Sequence, residues 1–134
     1  MDRIAQALEY RKRGYTCSQA VACVFCDKMN LDEKTVFEIM EGFGIGGGDM
    51  RGTCGAVSGM AMVTGKALSS GNLDAPDSKQ KTYAKLRELN AKFREKNGST
   101  LCRELKGLDT GEVLRSCNGC VEDAVRILME EFGE

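Results

Sequence analysis

Apolar residues recur along most of this chain at the three- and four-residue spacing of amphipathic helices. No segment alternates apolar and polar residues for the length of a strand. This pattern predicts an all-α protein, a compact bundle of about five to seven helices that forms a single domain over residues 1–134. The inward-facing positions include Ile4, Ala7, Leu8, Val21, Val24, Phe25, Leu89, Phe93, Val121, Val125 and Leu128.

Turn residues and caps predict where several helices begin and end. One helix is expected to run without a break over residues 17–29. An apolar helix rich in small residues is expected over residues 52–68, where Gly55 and Gly59 share a face and allow a neighbouring helix to approach closely. Pro76, the only proline, suits the first turn of the helix that follows. The segment over residues 52–68 is therefore predicted to be the central helix.

The overall charge excludes several classes of partner. Nineteen Lys and Arg nearly balance twenty Asp and Glu, which does not favour binding to nucleic acid or to a membrane surface. No apolar run approaches a bilayer-spanning length, so no membrane insertion is expected, and the first residues lack the pattern of a secretory leader. We therefore expect a cytoplasmic protein.

Charge is unevenly distributed between two segments. Residues 77–96 carry seven Lys or Arg against three Asp or Glu, whereas residues 104–134 carry three against eight. The favoured interpretation is that these are solvated faces of two helices that dock on each other. A phosphate-binding face on the basic segment is the alternative.

Seven cysteines and no histidine restrict the chemistry. A cytoplasmic chain does not use cysteines for a static disulfide framework, so metal binding, redox chemistry or catalysis becomes the expectation. The absence of histidine excludes Cys-His nucleophilic pairs, mixed Cys/His zinc sites and imidazole acid-base chemistry. Sulfur or carboxylate groups must carry out whatever chemistry this chain has.

Four of the cysteines follow, within one or two residues, a hydroxyl residue that is typical of a helix N-cap. In a first helical turn, unpaired N–H groups and the helix dipole stabilise a thiolate and can lower the cysteine pKa from about 8.5 to roughly 3.5–7.5. These four thiols are the predicted catalytic groups. The pairs are Thr16 with Cys17, Thr53 with Cys54, Thr100 with Cys102, and Ser116 with Cys117.

The remaining cysteines receive different interpretations. Cys23 and Cys26, separated by Val-Phe within a predicted helix, are expected to be small buried hydrophobic residues. Formally they form a Cys-x-x-Cys pair that could hold zinc together with Cys117 and Cys120, but the apolar spacer argues against this. Cys120 remains a second-rank catalytic candidate that could resolve a disulfide formed at Cys117.

Residues 42–59 contain eight of the sixteen glycines and lead directly to Cys54. The segment matches neither a P-loop nor a dinucleotide fingerprint in the required strand context, so a nucleotide site is not expected. One interpretation is a tightly turned connection with positive φ angles. The other is that glycines bring backbone close to a group bound at Cys54, with Arg51 stabilising the thiolate. The glycines predicted to allow this close approach are Gly46, Gly47, Gly48, Gly55 and Gly59.

Several motifs together resemble one family. Cys17 in YTCSQAV, Cys54 in TCGAVSG, Cys102 in STLCRELKGLD and Cys117 in CNGCVEDAVRILME are similar in order and spacing to the C_GCAxxG_C_C family. The resemblance covers roughly residues 14–129, although the central motif here reads Thr-Cys-Gly-Ala in place of Gly-Cys-Ala. It implies a small helical redox-active protein whose four characteristic cysteines are these four. Members of the family often lie near transport genes.

Three functional hypotheses stay open at this point. The first is a thiol-disulfide oxidoreductase in which Cys54 is an exposed thiolate that pairs with Cys17, Cys102 or Cys117. In the second, these four cysteines bind an iron–sulfur cluster or, less favoured, zinc. The third is a non-catalytic partner module of a membrane transport system. A homodimer and an unidentified redox partner are also expected.

Overall fold

The computed structural model describes residues 2–134 and confirms the all-α class. Within this range there is no β-strand, and a single isolated antiparallel bridge joins Thr53 to Leu101. Six helices have seven residues or more, in agreement with the predicted number, and the other helical segments are single turns. The elements are α1 (Arg3–Lys12), α2 (Cys17–Cys23), α3 (Cys26–Met29), α4 (Glu33–Met40), a 3-10 turn (Glu41–Phe43), α5 (Gly44–Gly47), α6 (Gly55–Leu68), α7 (Lys79–Asn97), α8 (Cys102–Leu105) and α9 (Cys117–Glu131).

Helix α6 lies at the centre and packs most closely on α2, as its small residues predict. Val57, Met60 and Val63 are buried on its inner side. Gly59 allows the close approach, because a Cβ atom there would stand 2.9 Å from the carbonyl oxygen of Ser18 and 3.0 Å from Cβ of Val21. One contiguous hydrophobic core extends from Ala7 in α1 to Leu128 in α9.

Side-chain caps define the starts of two helices that matter for the site. Thr16 caps α2 in a reciprocal capping box with Gln19, since each side chain accepts a backbone N–H of the other. Ser116 caps α9 by accepting the N–H of Gly119. Both caps agree with the sequence prediction, and each places a cysteine in the first position of its helix.

Four local predictions were wrong. Thr100 does not cap α8, because Leu101 takes the N-cap position and no side chain caps that helix. The helix expected over residues 17–29 is interrupted at Val24 and Phe25, because the chain leaves helical geometry at Phe25, where φ is −117° and ψ is 22°. Thr53 does not cap α6, because it pairs with Leu101 and Cys54 takes the cap position. Pro76 precedes the next helix, which begins only at Lys79.

The basic helix α7 and the acidic helix α9 dock on each other, as their opposite charges predict. Lys96 Nζ lies 2.7 Å from Oδ1 of Asp123, whose side chain is only 1% exposed. Lys85 Nζ lies 2.8 Å from Oε1 of Glu131 at the other end of the contact. Across the described residues, none of the helices is both long and apolar enough to cross a lipid bilayer.

The contact between α2 and α6 can be tested with two alanine substitutions in one helix. Gly59→Ala should lower the free energy of unfolding by about 1–3 kcal/mol, because the new Cβ overlaps the backbone of α2. Gly65→Ala is the control, since a Cβ at position 65 meets no atom within 4 Å. It should raise the free energy of unfolding by about 0.5–1 kcal/mol through helix propensity. Urea denaturation measures both, and effects of the same sign would contradict the proposed contact.

Candidate functional site

Five of the seven cysteines line one open cavity with a volume of about 280 Å³. The four sequence-predicted thiols all reach it, although they are separated by as many as a hundred residues of chain. The second-rank candidate, Cys120, also lines it. The cysteines of the cavity are Cys17, Cys54, Cys102, Cys117 and Cys120.

Helix starts bring four of these sulfurs together. Cys17, Cys102 and Cys117 are the first residues of α2, α8 and α9, and Cys54 occupies the N-cap of α6. Cys120 lies one turn further along α9, on the same face as Cys117. The cavity is thus formed where four helices begin, an arrangement that local sequence reasoning anticipated for each cysteine separately.

A short antiparallel pairing holds Cys54 and Cys102 side by side. The N–H of Cys54 donates to the carbonyl oxygen of Thr100 at 2.8 Å, and the N–H of Cys102 donates to the carbonyl oxygen of Gly52 at 3.1 Å. These two bonds join the segment that enters α6 to the segment that enters α8. The separation of the two cysteines is therefore set by backbone hydrogen bonds.

The glycine-rich segment forms a turn in the left-handed region. Residues 45–48 all have positive φ, with Ile45 at 48° and the three glycines after it between 65° and 94°. Gly46 is required for a second reason, since a Cβ there would stand 2.6 Å from Cβ of Cys102. The turn also directs the N–H of Ile45 towards the sulfur of Cys17. The glycines in this segment thus allow both the positive φ angles of the turn and a close contact with the cysteines.

The other predicted glycines differ in their relation to the cavity. Gly48 and Gly55 line it, and Gly55 packs directly against the sulfur of Cys17. Gly47 faces open space, and Gly59 lies further along α6 against α2. The backbone approach expected from five glycines is thus provided at the cavity by only some of them.

The pKa of Cys54 is lowered to about 7. Interaction with the neighbouring Cys120 thiol contributes most to this shift, and burial opposes it. The N–H groups of Ala56 and Val57 at the start of α6 and the ammonium group of Lys106 also lower this pKa. The Cys54 side chain is only 6% exposed, so the expectation of an exposed thiolate was wrong, and reagents must reach it through the cavity.

A position at a helix start does not lower the pKa of every thiol. Burial raises the pKa of Cys17 and of Cys102 despite their first-turn positions. The pKa of Cys120 is raised by its interaction with Cys54 and by burial of the side chain. Cys54 is thus the cavity thiol whose pKa is lowered.

The cation beside the thiols is Lys106, a residue that the sequence interpretation overlooked. Its Nζ atom lies 2.8 Å from Sγ of Cys117, and this contact raises the pKa of Lys106. The predicted cation, Arg51, is exposed and does not line the cavity. The spacing in the sequence could have identified Lys106, because it follows Cys102 by four residues and a single helical turn brings the two residues to one face.

Cys23 and Cys26 lie away from the cavity at the break between α2 and α3. Cys23 is buried near the backbone of Glu33, and burial raises its pKa to about 12. The pKa of Cys26 is also raised, first by burial and then by the carboxylate of Glu33. Both behave as small hydrophobic residues, which is the interpretation favoured from the sequence.

The geometry does not favour the zinc alternative. Among residues 2–134, no group of three or more Cys, Asp or Glu side chains is arranged so that it could hold a metal ion. The formal zinc pairing fails in addition because Cys23 and Cys26 are remote from Cys117 and Cys120.

Comparison with known families gives one match. The family model described as "Putative redox-active protein (C_GCAxxG_C_C)" matches residues 15–131, and this range includes all seven cysteines. Searches of curated proteins and of solved structures returned no match.

The ionisation of Cys54 can be followed by its rate of alkylation. The rate with iodoacetamide should be half-maximal near pH 7 and fall to about a tenth of its plateau at pH 6, because the thiolate is the reacting form. Cys120→Ala removes the neighbouring thiol that contributes most to the lowered pKa and should move the midpoint to higher pH. Cys26→Ala, which removes a thiol outside the cavity, is the control and should leave the midpoint unchanged. Mass spectrometry of Cys54 peptides measures the rate, and equal midpoints in all three proteins would contradict the role assigned to Cys120.

Proposed function

This chain belongs to the C_GCAxxG_C_C family, described as redox-active, and from that premise we propose that it catalyses dithiol–disulfide exchange. In the proposal Cys54 is the attacking thiolate and Cys120 is the thiol that completes the exchange. The observation that carries it is the meeting of five cysteines in one cavity, where Cys120 is the neighbour that contributes most to the lowered pKa of Cys54.

The first step is attack of the Cys54 thiolate on one sulfur of a substrate disulfide. A bond forms between Cys54 Sγ and that sulfur, the substrate S–S bond breaks, and the other substrate sulfur leaves as a thiolate. The low pKa of Cys54 ensures that much of the protein holds this residue as the nucleophile near neutral pH. Lys106, which helps to stabilise the Cys54 thiolate, also stabilises negative charge on the leaving sulfur.

The second step uses the proton and the sulfur of Cys120. Once Cys54 is in a mixed disulfide, it no longer carries the negative charge that held the Cys120 proton, and this proton passes to the departed thiolate. The Cys120 thiolate then attacks Cys54 Sγ, a Cys54–Cys120 disulfide forms, and the second substrate thiolate leaves. The substrate disulfide gains two electrons, and the two cysteines lose them.

The chain has no histidine, so no imidazole is available to activate the attacking cysteine. Backbone N–H groups at the start of α6, the Cys120 thiol and Lys106 supply the stabilisation instead. Cys17, Cys102 and Cys117 then shape the cavity, and the pairing partner expected from the sequence is revised from these three to Cys120.

Return to the reduced state requires a dithiol reductant, which is the unidentified redox partner of this proposal. A cavity of free thiols suits a reducing compartment, which is why a cytoplasmic location belongs to the same proposal.

The exchange reaction is tested by adding hydroxyethyl disulfide to the reduced protein and mapping the products by mass spectrometry. The wild-type protein should lose two hydrogen atoms as a Cys54–Cys120 disulfide forms. Cys120→Ser should stop at a mixed disulfide on Cys54, and Cys54→Ser should lose at least about nine-tenths of the reaction rate, since no other cavity thiol has its thiolate stabilised in the same way.

Cys26→Ser is the matched control, because it removes a thiol outside the cavity, and it should react as the wild type does. A Cys54→Ser protein that reduces the disulfide at the wild-type rate would overturn the proposed function.

A further inference from the structure

Charged side chains in the cavity wall indicate which disulfides the site accepts. Three cations line the cavity, Arg11, Lys106 and Arg115, together with one carboxylate, Glu41. Glu41 is exposed to solvent, where its charge is screened, whereas Arg11 is half-buried. The charges that face the interior of the cavity are therefore mainly positive.

Two of these cations already have partners. Lys106 lies beside the thiols, where it offsets negative charge on sulfur. Arg115 donates from Nε to Oδ2 of the buried Asp123 at 3.1 Å, so its position is held from behind and its charge is partly compensated, since Lys96 shares this carboxylate. Lys106 is thus directed at sulfur and Arg115 at a carboxylate.

Arg11 differs from these two cations because both of its hydrogen-bond acceptors are uncharged. Its Nη1 atom donates to the carbonyl oxygen of Tyr15 at 2.8 Å, and its Nε donates to Oδ1 of Asn118 at 3.1 Å. Within residues 2–134, no carboxylate forms an ion pair with it. These bonds orient the guanidinium at the cavity and leave its positive charge uncompensated, which is the condition for recognising an anionic group.

Cavity size and burial exclude a bulky substrate. A volume of about 280 Å³ lies just below the roughly 300–1,000 Å³ common for small-molecule sites. Because Cys54 is only 6% exposed, a disulfide on the surface of a folded protein cannot reach it without rearrangement of the cavity wall. The substrate must enter the cavity.

We infer that the substrate is a small organic disulfide with a carboxylate or similar anionic group, which binds Arg11 while the S–S bond faces Cys54. This inference rests on the proposed exchange function. The bonds made and broken are those of the exchange described above, so the substrate leaves as two molecules of a small anionic thiol, and the oxidised protein is restored by a dithiol reductant.

A series of disulfides of similar size and different charge tests this inference. The probes are dithiodipropionate, which is dianionic, the neutral hydroxyethyl disulfide, and the dicationic cystamine, each rate being divided by that of the same probe with dithiothreitol to remove intrinsic reactivity. After this correction, the anionic probe should react at least about tenfold faster than the cationic one at low salt, and added salt should reduce the difference. Insulin, as a protein disulfide, should react more slowly than any small probe.

Arg11→Gln should remove most of the preference for the anionic probe, and Arg11→Lys should retain part of it because the charge stays. Arg87→Gln is the matched control, since Arg87 is exposed on α7 and its loss changes the net charge equally. Each disulfide rate is divided by the alkylation rate of the same variant with neutral iodoacetamide, which removes any change in the reactivity of Cys54 itself. If Arg11→Gln does not fold, the salt dependence and Arg11→Lys carry the test.

The outcomes separate this inference from the function on which it rests. Equal corrected rates for the three probes, a preference that survives Arg11→Gln, or faster reaction with insulin would overturn the anionic substrate while leaving exchange at Cys54 intact. No reaction of any disulfide at Cys54 would overturn the exchange function and this inference with it.

Discussion

The close packing of α2 on α6 is the constraint on which the rest of the structure depends. Gly55 and Gly59 leave no side chain on one face of α6, and the backbone of α2 together with the sulfur of Cys17 occupies that space. A larger residue at either position would move α2 outward, and with it the start of the helix that carries Cys17. The cavity exists because two helices meet at less than the usual side-chain separation.

The second constraint is the left-handed glycine turn and the short pairing that follows it. The turn presses Gly46 against Cys102, and the hydrogen bonds of Cys54 and Cys102 lock the entries of α6 and α8 side by side. Because backbone groups make these contacts, the sulfurs are placed by the chain itself. The positions of Cys54 and Cys102 at the cavity therefore follow from backbone hydrogen bonds.

The reactivity of each sulfur is decided by a balance between burial and specific partners. First helical turns favour thiolates, yet burial outweighs this at Cys17 and Cys102 and raises their pKa. Cys54 differs because the neighbouring Cys120 thiol, the N–H groups at the start of α6 and the ammonium group of Lys106 lower its pKa. The proposed roles of nucleophile, resolving thiol and anion-binding Arg11 all follow from partners that lie elsewhere in the sequence.

Local patterns in the sequence were sufficient for the helical class, the caps at Thr16 and Ser116 and the selection of four cysteines, because periodicity and capping depend on neighbouring residues. Spacing alone could not reveal that Cys120 lies against Cys54, that Lys106 replaces Arg51 as the nearby cation, or that burial reverses the pKa shift of two thiols. Those features depend on how α2, α6, α8 and α9 pack, and hydrogen bonding and desolvation between distant segments exist only after packing. The sequence thus determined which residues carry sulfur at helix starts, and the tertiary structure decided which of them has a lowered pKa.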